Sequence, residues 1–385
     1  MSRRIIGNLD CESDFARTSG NPRGPLPRRV LATLASSATL LRALAQEGDR
    51  LWLPAELPAE AMLEVPGLPR PTLEQGPLRQ LSKVDSVLAW GETTEVAAIR
   101  RPAEGIRSQT STPVDRLWRL PTSRPEAAAR VNHRGFCNAL AEAIGCRLPG
   151  ATLLDSPNAL KDYLTTRPTP RWILKAPYSA AGRWRYIDRG GSWAEHQQRI
   201  DRLFANHGPL LFEPWMERTA DFGISAAITP EGWWSQGLHR LQVDSDGRFT
   251  GLELRVGDEA GAPGPWLDEG ERATLRTVLG QVAEALARVG YWGPFGIDCW
   301  RYRQLGGGEV FHPLGEINAR LTFGWVGQVL VERLRAPLGL EPGDHVRLLF
   351  SKALPDETPA RIVPLFAAQH PTARAIWLEI QPSHP

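Results

Sequence analysis

Gly293–Arg320 constrains this chain more than any other stretch. It reads Gly-Pro-Phe-Gly-Ile-Asp298-Cys-Trp-Arg-Tyr-Arg, then Gln-Leu-Gly-Gly-Gly, then Glu309-Val-Phe-His-Pro-Leu-Gly-Glu316-Ile-Asn318-Ala-Arg320. Two β-rich runs around a glycine turn predict a hairpin. Glu316 and Asn318 are two apart and share one face of their strand, and Asp298 joins them from the neighbouring strand. A solvated face is the plainer reading, but Ile297, Cys299, Leu314 and Ile317 mark both strands as largely buried. Buried acids with no lysine among them need a cation. Two carboxylates and an amide oxygen are hard donors suited to Mg²⁺, whose shell is completed by water and substrate phosphate.

In the order D…E-x-N, Asp298, Glu316 and Asn318 resemble the metal-binding end of the ATP-grasp superfamily, whose members include D-alanine–D-alanine ligase, glutathione synthetase and biotin carboxylase. Upstream residues supply the other half of such a site. Arg171–Asp188 reads as strand, small-residue turn and strand, with Lys175 inside an apolar run. A buried ammonium needs a counter-charge, and a nucleotide phosphate provides one. The turn Ser179–Gly182 can aim backbone N–H groups at phosphate oxygens. Lys175 and Gly182 thus resemble the family's strand lysine and phosphate loop; the plainer reading is a hairpin with a snorkelling lysine.

The run Leu210–Phe222 carries Glu213, Trp215, Met216, Glu217 and Asp221 behind an apolar strand. It resembles the family's hinge, which implies that backbone near Trp215 and Met216 reads the adenine edge. Glu213 would assist, and Asp221 would bind the ribose hydroxyls, with Glu217 as rival. Core packing is the commoner fate of a Trp and a Met. Arg134 stands where the family's N-x-K helix has a phosphate-contacting lysine, and its fork suits phosphate; the plainer reading is an exposed arginine at a helix start. Asn132 is the expected N-cap of that helix. His239, Arg240 and Arg255 lie on three predicted antiparallel strands, 221–229, 233–244 and 249–256, as candidates for a substrate carboxylate or the transferred phosphoryl group. Arg320 is placed to stabilise a tetrahedral oxyanion.

The N-terminal third alternates strand and helix: strands 4–7, 51–53 and 86–91, helices 30–46 and 94–100, and a loop over 8–27. This implies a parallel αβ layer. Asp268-x-x-Glu271 predicts a capped helix through Val289, Phe323–Leu334 is helical, and the tail carries one strand candidate, Ala375–Ile380. The expected class is α/β (α+β), with ATP-grasp architecture. A Rossmann-like domain covers 1–125, a first ATP-grasp lobe 126–214, a second lobe 215–336 and a C-terminal extension 337–385.

Composition adds exclusions. A net charge of +2 implies no nucleic-acid or membrane partner. Of 45 basic residues, four are lysines, which singles out Lys175. Cys11, Cys137, Cys146 and Cys299 form no zinc pattern. The N-terminus shows no apolar leader, and no run approaches the roughly 20 residues of a membrane span, so the expected location is the cytoplasm. The resemblance implies ATP with Mg²⁺ (or Mn²⁺) and small carboxylate and amine substrates, and it allows a homodimer. The implied reaction is ligation through an acyl phosphate. A kinase-like phosphotransferase and a non-catalytic nucleotide-binding scaffold are the alternatives.

Overall fold

The computed structural model describes residues 3–20, 24–84, 86–100, 112–179, 183–190, 192–257, 266–304, 306–351, 360–368 and 374–383. Short apolar strands separated by helices build a four-stranded parallel sheet at the N-terminus, ordered Thr72–Glu74, Arg50–Trp52, Arg3–Ile6, Ser86–Ala89. The span 8–27 is not all loop, for it contains a helix, Cys11–Thr18. Cys11 and Phe15, four apart, are buried on one face, and Asp14 pairs with Arg17 at 2.7 Å on the other. The predicted helix 30–46 is shorter than expected: Arg28–Ala38 is α-helical, and Thr39–Leu44 tightens into 3-10 turns.

A second, antiparallel sheet is ordered Thr152–Leu154, Leu210–Pro214, Trp172–Lys175, Arg185–Ile187. Helices Pro157–Thr166 and Trp193–His207 cover it, and Leu160, Ile200 and Phe204 bury against Trp172, Leu174 and Phe212. Ser192 and Glu195 close a capping box on the second helix.

The third sheet has eight strands, ordered 309–318, 293–303, 217–229, 232–243, 249–255, 345–351, 375–381, 361–366, each pair antiparallel. The tail thus supplies three strands where one was expected. Arg361–Phe366 carries Pro364 but lies at the sheet edge, where a missing N–H costs little. Helices Glu269–Arg288 and Phe323–Leu338 bury Leu279, Val282, Trp325 and Leu330 in the main core. Two residues, Trp215 and Met216, separate the last strand of the second sheet from the first of the third. Across the gap the two sheets also touch at Asp246, whose carbonyl accepts from Arg185 (2.6 Å) and whose carboxylate pairs with Arg189. No helix among the described residues is long and apolar enough to cross a membrane.

Candidate active site

The predicted hairpin forms, and its register shifts between Asp298 and Trp300. Asp298 stands directly across from Glu316, and Asn318 opposite Gly296. The Asn318 amide donates to Asp298 at 3.3 Å. Burial pushes the Asp298 carboxyl up to about 7, and the Glu316 charge adds to the shift. Gly315 leaves room for the Trp300 ring, which a Cβ there would meet at 1.5 Å. Among the described residues no cluster of three or more His, Cys, Asp or Glu gathers; the set here is two carboxylates and an amide.

Arg134 is buried rather than exposed at its helix start. It donates to Glu316 (2.8 Å), to the Ala176 carbonyl (2.6 Å) and to the Ser179 hydroxyl (2.8 Å), tying the small sheet's loop to the hairpin. Asn132 is not the N-cap of this helix. It ends the preceding helix, Pro125–Asn132, and its amide bonds the Ala319 backbone at 3.0 and 3.1 Å. The cap is His133, whose Nδ1 accepts from the Gly135 N–H at 2.9 Å. Burial and the neighbouring Arg134 lower the His133 pKa, which keeps Nδ1 an acceptor.

Lys175 does not snorkel. Its ammonium donates to buried Glu213 at 2.5 Å. Burial would raise the Glu213 carboxyl, but the Lys175 charge and hydrogen bond hold it below the ordinary value. The Trp215 N–H is already bonded to the Arg171 carbonyl at 2.9 Å, and Met216 packs with Leu148, Ala151, Trp300 and Tyr302. Asp221 is buried and accepts from Arg218 at 2.8 Å, while Glu217 is exposed and pairs with Arg303. Gly182 lies outside the described residues.

Arg320 donates to the Asn318 amide oxygen at 2.9 Å and to Glu12 at 2.9 Å. Glu12 is a contributor that sequence reading missed, because it falls in the helix taken for loop; no sequence signal links two residues 308 positions apart. His239 is buried between Gly223 and Gly324, where a Cβ would come within 2.3 and 2.1 Å of its ring. Burial lowers its pKa to about 4, so the ring is neutral.

These groups meet in one cavity of about 550 Å³ between the two antiparallel sheets, lined by Arg134, Lys175, Glu213, Trp215, Met216, Asp221, His239, Asp298, Glu316, Asn318 and Arg320. Arg240 is absent from its lining, and Arg255 opens instead on a second cavity of about 910 Å³ behind the strands.

No protein-family model and no curated protein matches the sequence. Solved structures do match. N5-carboxyaminoimidazole ribonucleotide synthetase from Thermus thermophilus superimposes with a TM-score of 0.57 at 16% identity, covering 100% of this chain and 94% of that one. The chain has the ATP-grasp fold. A biotin carboxylase from Campylobacter jejuni (TM-score 0.53, 12% identity, 99% and 87% covered) gives the same match. So does a phosphoribosylamine–glycine ligase from Thermotoga maritima (0.51, 12%, 99% and 92%). The parallel sheet beside two antiparallel sheets agrees with that fold.

Proposed function

We propose that the protein is an ATP- and Mg²⁺-dependent ligase that activates a carboxylate as an acyl phosphate and joins it to an amine. The observation that carries this reading is the meeting of Asp298, Glu316 and Asn318 with Lys175 and Arg134 in one interlobe cavity. The donor set fits a hard divalent cation. The raised Asp298 carboxyl marks a pair of acids short of positive charge, and the Asn318 oxygen keeps a lone pair beyond its bond to Arg320. Mn²⁺ suits the same oxygens. When bound, the metal neutralises charge on the transferring phosphoryl group.

The chain's own residues do the rest. Lys175 and Arg134 are the cations facing the phosphates. The Met216 amide, rather than that of Trp215, is left to read the adenine edge, and Asp221 faces the ribose. The substrate carboxylate attacks the γ-phosphorus, giving ADP and an acyl phosphate. The amine then displaces phosphate through a tetrahedral oxyanion that Arg320 stabilises. The test is ADP release across panels of acids and amines, with hydroxylamine as a trap. Hydroxamate formed only when acid and ATP are both present supports ligation. ADP released with an alcohol and no hydroxamate turns the reading to a phosphotransferase, and no ADP with any acceptor turns it to a scaffold.

A further inference from the structure

The cavity has one charged end and one apolar end, and a continuous run of rings joins them. The Arg320 guanidinium lies 5.3 Å over the Trp90 ring. Trp90 meets Phe323 at 4.8 Å, and Phe323 stacks on Phe249 at 5.6 Å with planes 4° apart. Val243, the cross-strand partner of Phe249, and Leu34 line the same cavity. Trp90 is core, but Leu34, Phe249 and Phe323 are only half-buried and Val243 is 37% exposed. Apolar surface left open inside a concave site is what the body of a ligand covers.

At the inner end of the wall stands one cation with capacity to spare among the described residues. Arg320 uses three N–H groups, on Glu12, Asn318 and the Leu321 carbonyl, and a guanidinium has five. Buried His239 also lines the cavity, against Gly324, the residue after Phe323; its Nδ1 has no hydrogen-bond partner among the described residues but is itself sealed from the cavity, so the neutral ring closes the wall.

We propose that the acid substrate carries an apolar body of phenyl or branched-alkyl size, seated on Trp90, Phe323 and Phe249, with its carboxylate held by Arg320. The word substrate rests on the ligase reading; the binding itself does not. A strongly hydrated acid would have to shed water against this wall with no polar partner gained from the rings, which disfavours it. An apolar acid loses nothing there and covers the exposed rings.

The experiment is calorimetry on the full chain with 4-phenylbutyrate, 4-methylpentanoate and glutarate, repeated with Phe249→Gln and Leu34→Gln. Leu34→Gln sits on a half-exposed helix position and keeps size, so it remains informative if Phe249→Gln folds poorly. ADP release is measured in parallel. The expected result is binding of the two apolar acids at least about tenfold tighter than glutarate, weakened by either variant. Equal or tighter binding of glutarate, no binding of the apolar acids, or apolar binding that neither variant weakens overturns the proposal. Apolar acids that bind as expected without releasing ADP leave this site standing and remove the ligase reading. ADP release driven by a polar acid, with no apolar acid bound, does the reverse.

Discussion

In the small sheet, Glu213 is buried beside Lys175 and its carboxyl stays below the ordinary value; across the cavity, Asp298 stands half-buried beside Glu316 and rises to about 7. Glu213 is buried, Asp298 is half-buried, and both line the same space. They differ in what neutralises them. Lys175 serves one acid, at 2.5 Å. Arg134 and Arg320 stand near the other pair, but Arg134 is shared with a loop and Arg320 is claimed by Glu12. One half of the cavity is balanced from within the chain, and the other is short of positive charge. The cation proposed above would make good that shortage.

That contrast is most easily broken at Glu316. Glu316→Gln keeps the shape and an acceptor for Arg134 but removes one charge. Turnover should fall by about 10³-fold and the Mg²⁺ requirement should rise, while the metal-free thermal midpoint changes little, relieved repulsion with Asp298 offsetting the weakened contact with Arg134. A variant with wild-type turnover and a lowered midpoint would make the pair a structural ion-pair network instead.

Lys175→Ala attacks the balanced half and should behave differently. It strands Glu213 in the interior, which costs about 3–5 kcal/mol of stability in denaturant unfolding. It should also weaken ATP by about 1.5–3 kcal/mol in calorimetry below the new midpoint. Adding Glu213→Gln sharpens the comparison: stability should return and ATP affinity should not. If both return, Lys175 serves only its partner.

Asp221→Ala is expected to raise the Michaelis constant for ATP about tenfold with little change in turnover, since ribose contacts serve ground and transition states alike. A pure turnover defect in steady-state assays would place Asp221 elsewhere. The smallest effect belongs to Asn132→Ala, which loses the bonds to the Ala319 backbone. It should destabilise by about 1–2 kcal/mol and leave metal dependence unchanged. A shifted Mg²⁺ requirement would show that this asparagine positions Asn318 as well.

The hairpin was legible because period-two alternation and a glycine turn are local signals, but the irregularity between Asp298 and Trp300 that shifts the register and sets Asp298 opposite Glu316 leaves no such signal. Lys175 and Glu213 were each singled out, yet on the assumption that both awaited a nucleotide; their mutual pairing depends on two strands lying side by side. The helix Cys11–Thr18 was hidden by the Gly- and Pro-rich residues around it, and only its packed face, Cys11 and Phe15, reveals it. Asn132 and His133 can both cap a helix, and the choice was made by Ala319, far along the chain. Strand Arg361–Phe366 escaped because a proline argues against a strand everywhere except at an edge.

Asp246 makes the cavity resemble a purse with one stitched side and one snap. On the stitched side, Arg134 fastens the small sheet's loop to the hairpin, and Asn132 holds the neighbouring helix to the Ala319 backbone, both through part-buried bonds. On the other, the turn at Asp246 meets Arg185 and an Arg189 side chain that is 63% exposed. An exposed ion pair is worth about 0–1 kcal/mol and is screened by salt. The mouth can therefore part at little cost while the acids stay registered with Arg134, and the ease of entry should depend on ionic strength where the grip on what has entered does not.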